Sequence, residues 1–171
     1  MATHMHENLW NFALRTYGAE GVSEACLSLQ DESGVDVPVL LFALWLAANS
    51  VELSESELQR TDTRVREWRE EVIRPLRAVR RRLKTGPFPA PSGETEALRN
   101  SVKAAELNSE KIELALLEEE GRELIARMEK ADDAASRNAA AVVRYYRGSD
   151  VDSLSQTAID TILRVLSKPQ K

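Results

Sequence analysis

Three glutamates, Glu106, Glu110 and Glu113, stand at i, i+4 and i+7, a spacing that puts three carboxylates on one face of a helix. Such a row holds Mg²⁺ together with a bound phosphate, which is the equipment of a metal-dependent phosphohydrolase or a small-ligand enzyme. The chain has 28 acidic residues, however, and similar letters recur at Glu67 and Glu70 and at Glu129 and Asp132. A solvated or salt-bridged face is the simpler reading, so the three glutamates stand only as weak metal candidates.

The opposite charge lies upstream. Arg60 to Lys84 carries ten basic residues against four acidic ones, a net of +6, with Arg69, Arg74, Arg77, Arg80 and Arg81 spaced along it. Taken alone, Arg74 to Lys84 reads as a patch for anions or RNA. Glu94 to Asp133 answers it with twelve acidic residues against six basic ones, a net of −6. Between the two arms, the Pro/Gly-rich segment Gly86 to Gly93 is expected to act as a hinge that folds them back as an antiparallel helical hairpin. Counting outward from the hinge, Arg77 falls near Ser101, and Trp68 to Val72 near Glu106 to Glu110, so Arg69 and Arg74 are expected to reach Glu106 and Glu110. Pairing of this kind consumes the field that phosphates need, and with the whole chain at −5 it argues against a nucleic-acid partner.

Other chemistry-bearing residues are sparse. Asp31 and Asp36, with Gln30 beside them, surround a turn and offer two carboxylates to a small ligand; their simpler roles are to end one helix and cap the next. Tyr145 and Tyr146 are adjacent, and because neighbours on a helix point apart, one of them is expected to be exposed. The only histidines, His4 and His6, lie in an N-terminal stretch, residues 1–6, expected to be mobile, so no positioned imidazole serves a Ser/His/Asp or Cys/His arrangement. Cys26 is the single cysteine and reads as a small buried hydrophobe. Neither GxxxxGK[ST] nor a GxGxxG following a strand occurs. No catalytic residue and no cofactor is assigned.

The elements that must position these groups are helices. Ala, Leu, Glu and Arg dominate, while aromatics make up 5% and Gly and Pro number 7 and 6, too few β-formers and turn residues for a sandwich or barrel. Trp10, Ala13, Leu14 and Tyr17 mark one face of a first helix over Glu7 to Tyr17, and Val22, Ala25, Cys26 and Leu29 a second that ends at Gln30. Asp36 and Pro38 open a third, Val37 to about Asn49, apolar all round and therefore central. Ser54 and Glu57 form a capping box for an element reaching Lys84, with room for a break near Thr61 and a kink near Ile73 and Arg74 imposed by Pro75. Residues 94–131 form the longest helix, its expected apolar stripe running through Leu98, Val102, Ala105, Leu107, Ile112, Leu114, Leu117 and Leu124. Ala134 to Arg147 and Val151 to Leu166 complete an all-α domain of six or seven helices, with residues 167–171 as a frayed tail.

At 171 residues, 43% hydrophobic and 30% charged, the chain suits a single folded domain over 1–171. Its longest apolar run, Val37 to Ala48, is twelve residues against the roughly 18 that span a bilayer, so no membrane is expected. A lone cysteine and an N-terminus without basic and apolar export regions point to the cytoplasm.

Two stretches resemble an uncharacterised bacterial family of small all-helical proteins, a domain of unknown function. The first is Trp10 to Ala47, where Trp10, Tyr17, Gly21, Cys26, Leu29, Gln30, Asp31, Gly34, Asp36, Leu40, Phe42 and Trp45 follow the family pattern; the second comprises Trp68, RPLRAVRRRLK from Arg74 and AELNSEKIEL from Ala105. The resemblance implies a helical fold and a cytoplasmic bacterial setting and carries no activity onto any residue. Three functions stay open: a non-enzymatic protein-interaction or regulatory protein that binds another protein or a second copy, a carboxylate- and Mg²⁺-dependent phosphohydrolase or small-ligand enzyme, and an anion or RNA binder acting through Arg74 to Lys84.

Overall fold

A computed structural model describes residues 7–167, and its regular structure is entirely helical. In chain order the elements are α1 (Leu9–Tyr17), α2 (Val22–Ser33), α3 (Val37–Ala48), α4 (Glu55–Trp68), a π-helical turn (Arg69–Ile73), α5 (Arg74–Arg82), α6 (Gly93–Arg127), α7 (Ala134–Arg147) and α8 (Ser153–Leu166). The expectations for residues 1–6, including His4 and His6, and for the tail from 168 lie outside the described residues. Among the described residues, no helix is long and apolar enough to cross a membrane.

From Val37 to Leu46 every side chain of α3 is buried, because an all-apolar helix has no face to give to water. α1, α2, α6 and α7 surround it, while α8 packs on α2. α6 comes in close at Gly121, where a β-carbon would stand 2.6 Å from Cζ3 of Trp45 and 2.7 Å from Cε2 of Phe42. On the other side, the buried Asn138 ties α7 to the chain leaving α3. Its Nδ2 donates to the carbonyls of Ala43 (2.9 Å) and Val51 (3.0 Å), and its Oδ1 accepts the Leu53 N–H (2.9 Å). Backbone groups that leave a helix inside the core are thereby satisfied.

Several boundaries and faces differ from the expected ones. α1 begins at Leu9 under an Asn8 cap and buries Leu9, Phe12, Ala13 and Thr16, while Leu14 is half exposed. Two apolar stripes compete on this helix, and the core takes the one carrying Phe12. α2 continues three residues past Gln30 and is closed by Gly34, whose φ of +67° suits a residue without a β-carbon, so Asp31 lies inside the last turn. The Ser54–Glu57 capping box forms and α4 runs through Thr61 unbroken. Disruption comes at the π turn immediately before Pro75: there the Arg74 N–H bonds back to the Arg69 carbonyl, and the widened turn accommodates a proline that cannot donate.

α6 packs antiparallel to α5, forming the expected hairpin. Its inward face follows the expected stripe only in its second half, where Leu114, Leu117 and Leu124 are buried with Glu120 and Gly121; upstream Leu98, Leu107 and Ile112 are half exposed, and Glu106, Ser109 and Glu113 are buried instead. Glu106, Glu113 and Glu120 stand seven residues apart and so share that face.

Candidate functional site

Charged side chains meet where α4, the π turn and α6 converge on the α2–α3 corner. Asp62 of α4 is the hub. Its Oδ1 accepts the Tyr146 hydroxyl (2.5 Å) and lies 2.8 Å from Arg69 Nη1, and its Oδ2 accepts from the Tyr145 hydroxyl (2.9 Å) and Arg66 Nη2 (2.8 Å). Both tyrosines therefore turn to one carboxylate, in an edge-to-face pair with centroids 5.2 Å apart, and neither is the exposed residue expected from their adjacency. Phenol rings are long enough for neighbouring positions to converge on a common acceptor across the helix interface. Burial pushes the Asp62 carboxyl up, but Tyr146, Arg66, Arg69 and Tyr145 together hold it below the ordinary aspartate value. Tyr146 is driven strongly upward by burial and by the Asp36 and Asp62 charges, so it stays a phenol donor.

Arg69 is 4% exposed and is placed by the π turn between two carboxylates, Asp62 at 2.8 Å and Asp36 at 3.6 Å. Glu106 and Glu110, its expected partners, are not its partners here. Behind Asp36 lies Glu113, fully buried, both of whose carboxyl oxygens lack a protein donor. Its carboxyl faces Asp36 and, through burial first and the Asp36 charge second, is pushed up to about 10. Burial raises Asp36 as well, against the pull of Glu113, Arg69 and Arg77. Two buried carboxyls facing each other cannot both ionise, so the pair shares one proton at neutral pH, donated by Glu113 and accepted by Asp36. Asp36 occupies the N-cap position of α3, and the nearby Val39 N–H favours its charge, yet no capping hydrogen bond is formed. Its carboxylate is engaged inward instead.

One turn outward, Arg77 Nε donates to Glu106 (3.0 Å) and Nη2 to Glu110 (2.9 Å), and Arg80 also donates to Glu106. Arg77 thus meets Glu106 instead of the Ser101 level. Helical side chains lean toward their own N-terminus, so in an antiparallel hairpin Arg77 leans away from the hinge and Glu106 toward it. Trp68, whose Nε1 donates to the Ser109 carbonyl (3.0 Å), keeps the expected register. Burial raises Glu106, but Arg80 and Arg77 hold it below the ordinary value; Glu110 is raised, by burial above all. The row Glu106, Glu110 and Glu113 is accordingly divided between guanidinium groups and Asp36, and among the described residues no group of three ligating side chains converges on a metal position. Arg74 pairs with Glu70 on its own rod (2.7 Å), again not with the α6 glutamates, and Arg81 with Asp31 across to α2 (2.8 Å).

That last pair joins two constellations which are separate in the sequence. Asp31 and Asp36 share with Arg69, Arg74, Arg77 and Arg81 a single cleft of about 400 Å³, with Gln30 at its side. Four arginines and two aspartates line it, each arginine paired to a carboxylate, and those of Arg74 and Arg81 are the exposed pairs that an incoming anion could exchange. Cys26 offers no thiolate nearby, since burial pushes its thiol up to about 12. Sequence reasoning missed Asp62 as hub and Glu113 as the partner of Asp36. The seven-residue recurrence of Glu106, Glu113 and Glu120 was the available signal that the carboxylate face of α6 is its inward one.

Residues 8–117 match the family model described as Protein of unknown function (DUF2390), and the chain belongs to that family. The match encloses every stretch that carries the resemblance and all of the cleft, while Tyr145 and Tyr146 lie beyond it. No curated protein and no solved structure matches the chain.

Proposed function

We propose that this member of the DUF2390 family is a non-enzymatic regulatory protein of the bacterial cytoplasm that docks another protein on its two-helix arm. The observation that carries this reading is that the arm takes no part in the core: α5 buries no side chain, and α6 buries none before Glu106. Apolar groups are left outside on it, with Val79 48%, Leu98 53% and the tip residue Phe88 97% exposed. Exposed Arg82 and Lys84 stand beside them, a combination that fits a partner surface of acidic residues around an apolar patch. A lone, buried Cys26 suits a reducing compartment.

The test is a photo-crosslinking residue placed in cells at Val79 or Phe88, with Leu154 of α8, as exposed as Val79, as control. The expected result is a crosslinked band from the arm positions alone, lost when Arg82→Glu and Lys84→Glu are added. No band, a band indifferent to the charge reversal, or an equal band from Leu154 would dispose of the reading. A crosslink only to a second copy of the chain would replace the heterologous partner by self-association.

A further inference from the structure

We infer that the cleft at the root of the arm is a binding site for a small organic anion whose other end carries a hydrogen-bond donor. This is a site distinct from the exposed arm surface. Two of the residues lining it hold charged atoms that make no hydrogen bond to a protein donor or acceptor at good distance: Oδ2 of Asp36, 3.6 Å from Arg69 Nη1, and Nε of Arg69, 3.8 Å from Glu70, on residues 5% and 4% exposed. Buried polar atoms are seldom left unpaired, because desolvation without a partner costs stability. Here the two residues with incompletely satisfied groups both line a space large enough for a small metabolite.

The wall sorts the ligand's ends. Arg74 and Arg81 are held by exposed pairs, to Glu70 and to Asp31, which are weak and exchangeable in water, so both guanidinium groups can turn onto a bound carboxylate or phosphate. Arg77 is committed to Glu106 and Glu110 and contributes only its field. At the inner end the Asp36 carboxylate, which accepts from Glu113 and faces Arg69, still has lone pairs to offer and selects a ligand head that donates. A simple inorganic anion satisfies the arginines but not Asp36.

Calorimetric titration of the whole chain with three probes tests this: inorganic phosphate, glutamate, and guanosine 5′-monophosphate. The expected result is one-to-one binding of glutamate or guanosine 5′-monophosphate about tenfold or more tighter than inorganic phosphate. Arg74→Gln with Arg81→Gln, which disturbs only exposed pairs and leaves folding intact, should weaken that binding by about tenfold or more. Asp36→Asn, if it folds, should remove the preference over inorganic phosphate. Absence of saturable binding by both organic probes, parity with inorganic phosphate, or an affinity unmoved by the arginine changes overturns the inference.

Discussion

α6 is sealed in two ways along one face. From Leu114 to Leu124 it meets α3 chiefly through hydrocarbon and the glycine at 121, with Glu120 turned to Arg60 and Thr61 of α4, whereas from Glu106 to Glu113 it meets Arg77, Arg80 and Asp36 through charge. The difference lies in tolerance. Dispersion and burial are graded and non-directional, so an apolar contact loses stability in proportion to what is removed. A buried charge network is all or none, since removing one member strands the others in a poor dielectric. The charged half also specifies hairpin register, because sliding the helices by a turn separates Arg77 from Glu106 and Glu110.

The largest effect is expected at Arg69. Replacing it by methionine strands Asp62 and Asp36, and urea unfolding should show a loss of about 3–5 kcal/mol. A loss below about 1 kcal/mol would mean that this floor behaves like a set of surface pairs.

Next comes Glu113→Gln, which keeps the shape of the protonated acid and removes its titration. The folded Glu113 holds its proton up to about pH 10, while the unfolded side chain releases it near 4.5. Between those limits the folded state binds more protons, so this group's contribution to stability falls as pH rises, by up to roughly 1.4 kcal/mol per pH unit. The variant should therefore gain on the wild type steadily from pH 6 to pH 9, by up to about 4 kcal/mol over that span. Parallel stability curves for the two proteins over that range would falsify the shared-proton assignment.

In the apolar half, Gly121→Ala gains helix propensity but drives a β-carbon into Trp45 and Phe42. Chemical unfolding should register a net destabilisation of about 1–3 kcal/mol, and a neutral result would show that the aromatic pair has room to shift. Smallest of all is Arg64→Ala, which breaks an exposed pair with Glu119. It should cost less than about 0.5 kcal/mol, and any larger loss in the same assay would extend the charged half outward to the surface.

How far these contrasts were legible follows from their range along the chain. The capping box at Ser54 and Glu57, the disruption before Pro75, a loop between α5 and α6 and the central place of α3 rest on a few neighbouring residues each, and all of them form. The inward face of α6 was legible at Leu114, Leu117 and Leu124 but misread upstream, because apolar residues there occur on both of its sides and the buried side carries glutamates that composition alone assigns to water. Arg81 with Asp31, 50 positions apart, and Tyr146 with Asp62, 84 apart, depend on tertiary register that no local pattern encodes. Even correct register left Arg77 one turn out, because the lean of its side chain decides the contact.

The bridge from Arg81 to Asp31 has one more consequence. Arg74 and Arg81 ride on the arm, and Asp31 and Asp36 belong to the α2–α3 corner, so the two walls of the cleft come from different parts of the fold. Any occupant that favours one arm attitude changes the affinity of whatever grips the tip, and by thermodynamic reciprocity the tip's partner changes the occupant's affinity by the same factor. Were both proposed sites occupied, the helical outrigger and the small charged crevice would be the two terminals of a single coupled device.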